Sequence, residues 1–297
     1  MALIDKTVIP SLLVICGVFY HLFLQRRLTL SFDFAGGASA AARYYNATTM
    51  QTSSTNTYAP TRFEEMFVVA YDKSLGRGDK PQARSNEPRR VYNISEFPPE
   101  YRTAGGLMDD DRELLGKIYS TANSSFEYGL GESTYIAAWT RMPRWSGIDS
   151  DSNWVVGVRD KPLIPSYYQF NFGDIGPTKV WGYPTQPDLD KMLYRYVVAP
   201  LALEREPFDV YLVDGRWRVA CACMAFLHAM SLDGDMDKIR VLVHDYQDTK
   251  RGYTIIEDEI ADVDRRSSKL RVFKLKPGIG ESEVADLFLR NVDNYKR

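Results

Sequence analysis

The sequence predicts an α/β protein built on a doubly wound, mostly parallel sheet and preceded by one N-terminal transmembrane helix. From Met108 onward, short apolar strand-like segments alternate with helical ones. Ahead of them, Val8 to Leu24 (VIPSLLVICGVFYHLFL) runs seventeen residues without a charge. The chain's 297 residues are 44% hydrophobic and 26% charged, enough apolar content for a full core and too much for a disordered chain. The net charge of -2 offers no positive field to draw nucleic acid. The three cysteines cannot form a disulfide scaffold.

A helix over Val8–Leu24 is roughly 25 Å long, a little short of a ~30 Å hydrocarbon core. Gln25, Arg26 and Arg27 follow it and can snorkel to make up the difference. Pro10 falls in the first turn, where a missing N–H costs little. A cleaved secretory signal is the competing reading, but it calls for positive charge before the apolar run, and there Asp5 and Lys6 cancel. The arginines place the rest of the chain on the cytoplasmic or matrix side, and the membrane is left open between the mitochondrial inner membrane and an endomembrane. Three sequons, at Asn46, Asn93 and Asn123, matter only in a secretory lumen and pull the other way. Three parts are expected: an anchor over 1–27, a tether and N-terminal extension over 28–107, and an α/β domain over 108–297.

Residues 36–62 are rich in Gly, Ala, Ser, Thr and Asn and read as tether. Residues 72–90, with six Lys/Arg and three acids, read as a solvated loop or a lipid-headgroup or partner patch. Within the domain, Asp109 or Asp110 is placed to cap a helix over Asp111–Ala122. Strands follow at Ser125–Tyr128, Trp145–Asp149, Tyr167–Phe172, Phe208–Val213 and Ile239–His244, and helices at Ser133–Thr140, Asn153–Arg159, Asp188–Ala199 and Trp217–Met230. The last helix is apolar nearly all round and therefore buried. Tyr253–Ile260 and Leu270–Leu275 close the chain as its final strands, without room for a full crossover helix.

In such sheets ligands bind beyond the carboxyl ends of the strands, so chemistry is sought there. The first end reads Glu127-Tyr128-Gly129-Leu130-Gly131-Glu132-Ser133. Gly129 and Gly131 permit a tight turn and close approach to a ligand, and a helix opens at once with free N–H groups facing the same space. Asp149 ends the second strand twenty residues after Gly129, the spacing at which an acid meets a ribose hydroxyl pair; Asp151 is its rival. Asp174, at the third end, can accept from an adenine amino group or cap the following turn. Asp214, at the fourth, can orient a substrate amine or hydroxyl or cap the following helix. His244, at the fifth, is either a general base or a structural histidine. Trp181 and Tyr183 are candidate pocket walls or core residues. No metal site is expected.

These features together resemble the class I S-adenosylmethionine-dependent methyltransferase-like fold, on FEYGLGEST, SGIDSDSNW, DIGPTKVWGYPT, VDGRWRVACA and VLVHDY. The resemblance covers roughly residues 108–297 and is to a poorly characterised subgroup. It implies a seven-stranded sheet with an antiparallel finish and S-adenosylmethionine as the cofactor. It further implies that Glu127, Gly129 and Gly131 line the methionine side, that Asp149 binds the ribose and that Asp174 lies near the adenine. The fourth strand end reads VDGR and lacks the Asn/Asp-Pro-Pro-Tyr run of amino methyltransferases. Two functions are therefore carried: a membrane-anchored methyltransferase using Asp214 or His244 where the acceptor must lose a proton, and a non-catalytic accessory subunit of a membrane complex. A NAD-binding domain is disfavoured by Thr134, which stands where the fingerprint's third glycine belongs.

Overall fold

The computed structural model describes residues 85–103, 106–179, 182–186, 188–246 and 252–292. The expected anchor, most of the tether and Trp181 lie outside these residues. Among the described residues no helix is long and apolar enough to cross a membrane.

The elements in chain order are α1 (Asp109–Thr121), β1 (Ser124–Tyr128), α2 (Glu132–Trp139), β2 (Arg144–Asp149), α3 (Ser152–Arg159) and β3 (Gln169–Phe172). Then come α4 (Leu189–Met192), a π-helical turn (Leu193–Val197), α5 (Ala199–Leu203), β4 (Val210–Val213), α6 (Arg218–Ser231) and β5 (Arg240–Val243). The chain closes with α7 (Thr254–Glu259), β6 (Ala261–Arg266), β7 (Arg271–Leu275) and α8 (Glu281–Asn291). Seven strands form one sheet in the order β3-β2-β1-β4-β5-β7-β6. β1 to β5 are mutually parallel, and β7 runs antiparallel to both β5 and β6. The expected parallel sheet with an antiparallel finish is the one observed, in the arrangement of class I methyltransferases.

Alternating strand residues divide the core in two. Phe126, Tyr128, Tyr211, Val213, Val241 and Val243 face the layer of α5, α6 and α8. Trp145, Val210, Leu212 and Leu242 face α1, α2 and α3. Tyr92 and Phe97, ahead of Met108, are buried in that second layer. Tyr92 lies where a Cβ on Gly116 of α1 would stand 2.1 Å from its ring, so only glycine admits it.

Four expectations are corrected. The cap of α1 is neither Asp109 nor Asp110: Met108 is the N-cap, and Asp111 reaches back to accept from its N–H (3.0 Å). Tyr253–Ile260 is mostly the short helix α7, and the sixth strand lies just beyond it. That strand (ADVDRR) turns only Ala261 and Val263 inward, and its charges suit an open sheet edge while hiding it from hydropathy. The helix expected over Asp188–Ala199 is broken by the π-helical turn, where Val198 N–H reaches Leu193 O (3.2 Å). α8 was not foreseen; its Val284, Leu287 and Phe288 cover α6, which is why α6 is apolar all round.

Candidate active site

Strand register assembles the site. Tyr128 pairs with Ile148 on one side and Val213 on the other, and Val213 pairs with Val243. The residues that follow, Gly129, Asp149, Asp214 and His244, therefore stand in a row along the carboxyl edge. The strand order reverses between β1 and β4, which opens a crevice there. A cavity of about 480 Å³ occupies it, lined by the Gly129–Ser133 turn, Asp149–Asp151, Trp154, Tyr196, Asp214–Arg216, Arg218, His244 and Asp245, and also by Thr103, Gly106, Leu107 and Gly182.

Gly129 adopts φ +88°, and a Cβ there would stand 2.8 Å from the Asp214 carbonyl and 2.9 Å from Gly215 N. The β1 and β4 turns thus touch through backbone alone. Gly131 opens onto Trp154, whose indole N–H donates to Leu130 O (2.7 Å) and whose side chain is 43% exposed at the cavity mouth. Asp149 accepts from Leu130 N (2.9 Å) and Asp151 N (3.0 Å), which fixes its carboxylate against the glycine turn. Burial raises its pKa, and those backbone donors hold the rise back. Asp151 caps α3 instead, accepting from Asn153 N and Trp154 N.

Glu127 does not line the cavity. Its side chain points beneath the turn, wholly buried, and accepts from Tyr119 (2.8 Å), Ser133 (2.9 Å) and Thr134 (2.8 Å) hydroxyls. Burial pushes its pKa up to about 7, against the pull of these donors. The period-2 alternation that turns Phe126 and Tyr128 to one layer turns Glu127 into the other. Asp174 also stands outside the cavity lining. It closes its own turn through Gly176 N (2.9 Å) and faces Arg195 (3.6 Å), the second of the two roles its position allowed. Tyr183 is 41% exposed beneath the guanidinium of Arg216 (4.1 Å), so it is no core residue.

Asp214 does not cap α6. Its Oδ1 accepts from His244 Nδ1 (2.9 Å) and Arg218 Nη2 (3.2 Å). The other face of His244 meets Asp111, with Nε2 at 3.6 Å from Oδ2. Asp111 is fully buried and also accepts from Ser267 Oγ, Lys269 N and Leu270 N in the β6–β7 turn. Burial alone would drive His244 toward neutrality, but Asp214 and Asp111 override it and lift the pKa to about 10. Burial likewise disfavours ionised Asp111 and Asp214, yet hydrogen bonds and the cations beside them hold both below the usual carboxylate range. His244 is thus an imidazolium clamped between two carboxylates. In that form its proton is already in place, which disfavours His244 as a general base near neutral pH.

This clamp gives stability a pH signature. The His244 contribution is complete below its ordinary 6.5 and is lost as pH climbs through about 10. Asp111 and Asp214 contribute above the ordinary carboxylate value and fail as pH falls below it. Glu127 adds a growing cost between 4.5 and about 7. Urea unfolding should show a maximum near pH 5 and a loss on the order of 3–4 kcal/mol between pH 7 and 10. A His244→Gln chain should flatten that alkaline limb. A wild-type profile level from pH 7 to 10 would refute the clamp.

Sequence reasoning missed Trp154, Tyr196, Arg218 and Asp111. Arg218 had a readable signal: a lone charge in an apolar helix must find acidic partners. Tyr196 enters the cavity wall through the π-helical turn, and its hydroxyl lies 1.8 Å from where a Cβ on Gly215 would sit.

Strand order and the placement of the cavity define the domain as a class I methyltransferase fold. No protein-family model matches the chain, and no curated protein does either. Among solved structures, a methyltransferase-like protein from Silicibacter pomeroyi is 24% identical, over 63% of this chain and 95% of its own, with a TM-score of 0.48. The O-methyltransferase from Bacillus cereus in complex with SAH is 12% identical, over 80% of this chain and 98% of its own, with a TM-score of 0.37.

Proposed function

We propose that this chain is a membrane-anchored S-adenosylmethionine-dependent methyltransferase whose acceptor reaches the β4–β5 end of the cavity. The observation that carries the reading is the cavity itself: a glycine turn, the N-terminus of α2 and the Asp149 carboxylate converge on one crevice at the switch in strand order. Asp149 has lone pairs left to accept from a ribose diol, and Trp154 offers an aromatic wall beside it. Five carboxylates (Glu132, Asp149, Asp151, Asp214, Asp245) line the cavity against Arg216, Arg218 and the His244 imidazolium, a balance that suits a cationic cofactor. When bound, S-adenosylmethionine supplies an electrophilic methyl carbon. The Gly129–Ser133 turn, Asp149 and Trp154 would hold it, and its methyl would pass to a lone pair of the acceptor. The protein aligns the two and excludes water. The charge-free run Val8–Leu24 with Arg26 and Arg27 supports the anchor and a domain on the cytoplasmic or matrix side.

The clamped His244 favours a second reading, an accessory subunit of a membrane complex that keeps the pocket without turnover. Calorimetric titration of the detergent-solubilised full chain with S-adenosylmethionine and its demethylated product tests the shared premise. Micromolar binding is expected, weakened by ~1–3 kcal/mol in Asp149→Ala, the cost of leaving ribose hydroxyls unpaired. No binding by folded protein would remove the enzyme reading.

A further inference from the structure

We propose that Arg218 is the resident cation of the cavity's β4–β5 end, standing where a divalent metal would otherwise sit and holding Asp214 and Asp245 ready for the acceptor. Asp214, His244 and Asp245 present ligand-type atoms within 4.8 Å of one another, a donor set with the chemistry of a divalent site. The guanidinium already fills it. Arg218 is 2% exposed, and its Nη2 bridges Asp214 Oδ1 (3.2 Å) and Asp245 Oδ2 (3.0 Å). Its Nη1 donates to His244 O and its Nε to Gly215 O (3.0 Å), so the planar fork is fixed along both edges. His244 braces the bridge from beside it, its Nδ1 bonded to Asp214 and its Nε2 facing Asp111 at 3.6 Å.

The backbone is shaped around this bridge. Among the described residues only four non-glycines adopt positive φ, and two of them flank it: Trp217 (+52°), just before Arg218, and Asp245 (+53°), its partner. Left-handed backbone at such residues persists only where surrounding contacts enforce it. Asp214 Oδ2 and Asp245 Oδ1 carry no hydrogen bond among the described residues. They are left to accept from an acceptor O–H or N–H, and only this last role rests on the proposed function.

The test titrates the full chain in detergent with manganese chloride, then measures its affinity for S-adenosylhomocysteine in excess Mn²⁺ and in chelator. The wild-type chain should show no Mn²⁺ binding tighter than about 1 mM and equal nucleoside affinity, within about twofold, in both conditions. Arg218→Gln should gain Mn²⁺ affinity by at least about tenfold, while Arg218→Lys stays indifferent. Wild-type chain that takes up one Mn²⁺ below about 100 μM, and loses it in Asp245→Asn, would overturn the proposal. A folded Arg218→Gln chain that gains no Mn²⁺ would overturn it as well. Failure to bind the nucleoside at all would sink the proposed function and leave the manganese result to decide this proposal alone.

Discussion

Replacing Asp111 by alanine should cost about 3–5 kcal/mol of unfolding free energy at pH 7, the range for removing one partner of a buried ion pair. Asp111 is fully buried and serves four donors besides His244: Met108 N, Ser267 Oγ, Lys269 N and Leu270 N. Alanine strands all of them and leaves the imidazolium with Asp214 as its nearer counter-charge. Asp111→Asn keeps an acceptor in place but removes the charge, so its loss should be smaller. Above pH 10, where His244 is neutral in either chain, the gap between Asn and wild type should narrow. Urea unfolding at pH 7 and pH 10.5 reads both effects. A loss under about 1 kcal/mol for the alanine chain would mean that the clamp does not hold the fold together.

Gly129→Ala should abolish nucleoside binding, with affinity falling more than about a hundredfold, and should also destabilise the domain. A left-handed backbone at a non-glycine costs about 1–2 kcal/mol by itself. The new methyl would then stand 2.8 Å from the Asp214 carbonyl, which is backbone and has no rotamer to yield. The β1 and β4 turns must separate, and with them the two halves of the cavity. Gly176, also at φ +88° but with nothing within 4 Å of its Cβ position, is the control. Its alanine variant carries the backbone strain without the collision and should bind nearly as the wild type does. Equal losses in the two variants would show that strain, not the close approach, governs the turn.

The contrast between these residues shows what was legible in the sequence. Gly129, Asp149, Asp214 and His244 could be placed because each stands at the carboxyl end of a strand, and parallel register puts strand ends in one row. Glu127 was misplaced because a strand residue's facing depends on which layer covers it, and that is a tertiary fact. The charge state of His244 was hidden for the same reason: one of its two carboxylates arrives from α1, far away in the chain. β6 escaped notice because an edge strand buries only every second residue and charges fill the rest. α8 carried a readable spacing at Val284, Leu287 and Phe288, yet its necessity emerges only once α6 is seen to lie between it and the sheet.

The bonds from Lys269 and Leu270 to Asp111 join residues 158 and 159 positions apart. During synthesis, α1 emerges with its acid uncovered and waits while all five parallel strands are made. At roughly 5–20 residues per second that wait lasts on the order of ten seconds or more. The sheet's middle can form in that interval, but the clamp on His244 closes only when the β6–β7 hairpin arrives. The hairpin that completes the sheet is therefore also the one that steadies the site, so a chain cut short before residue 267 lacks the donors that fix Asp111 beside His244.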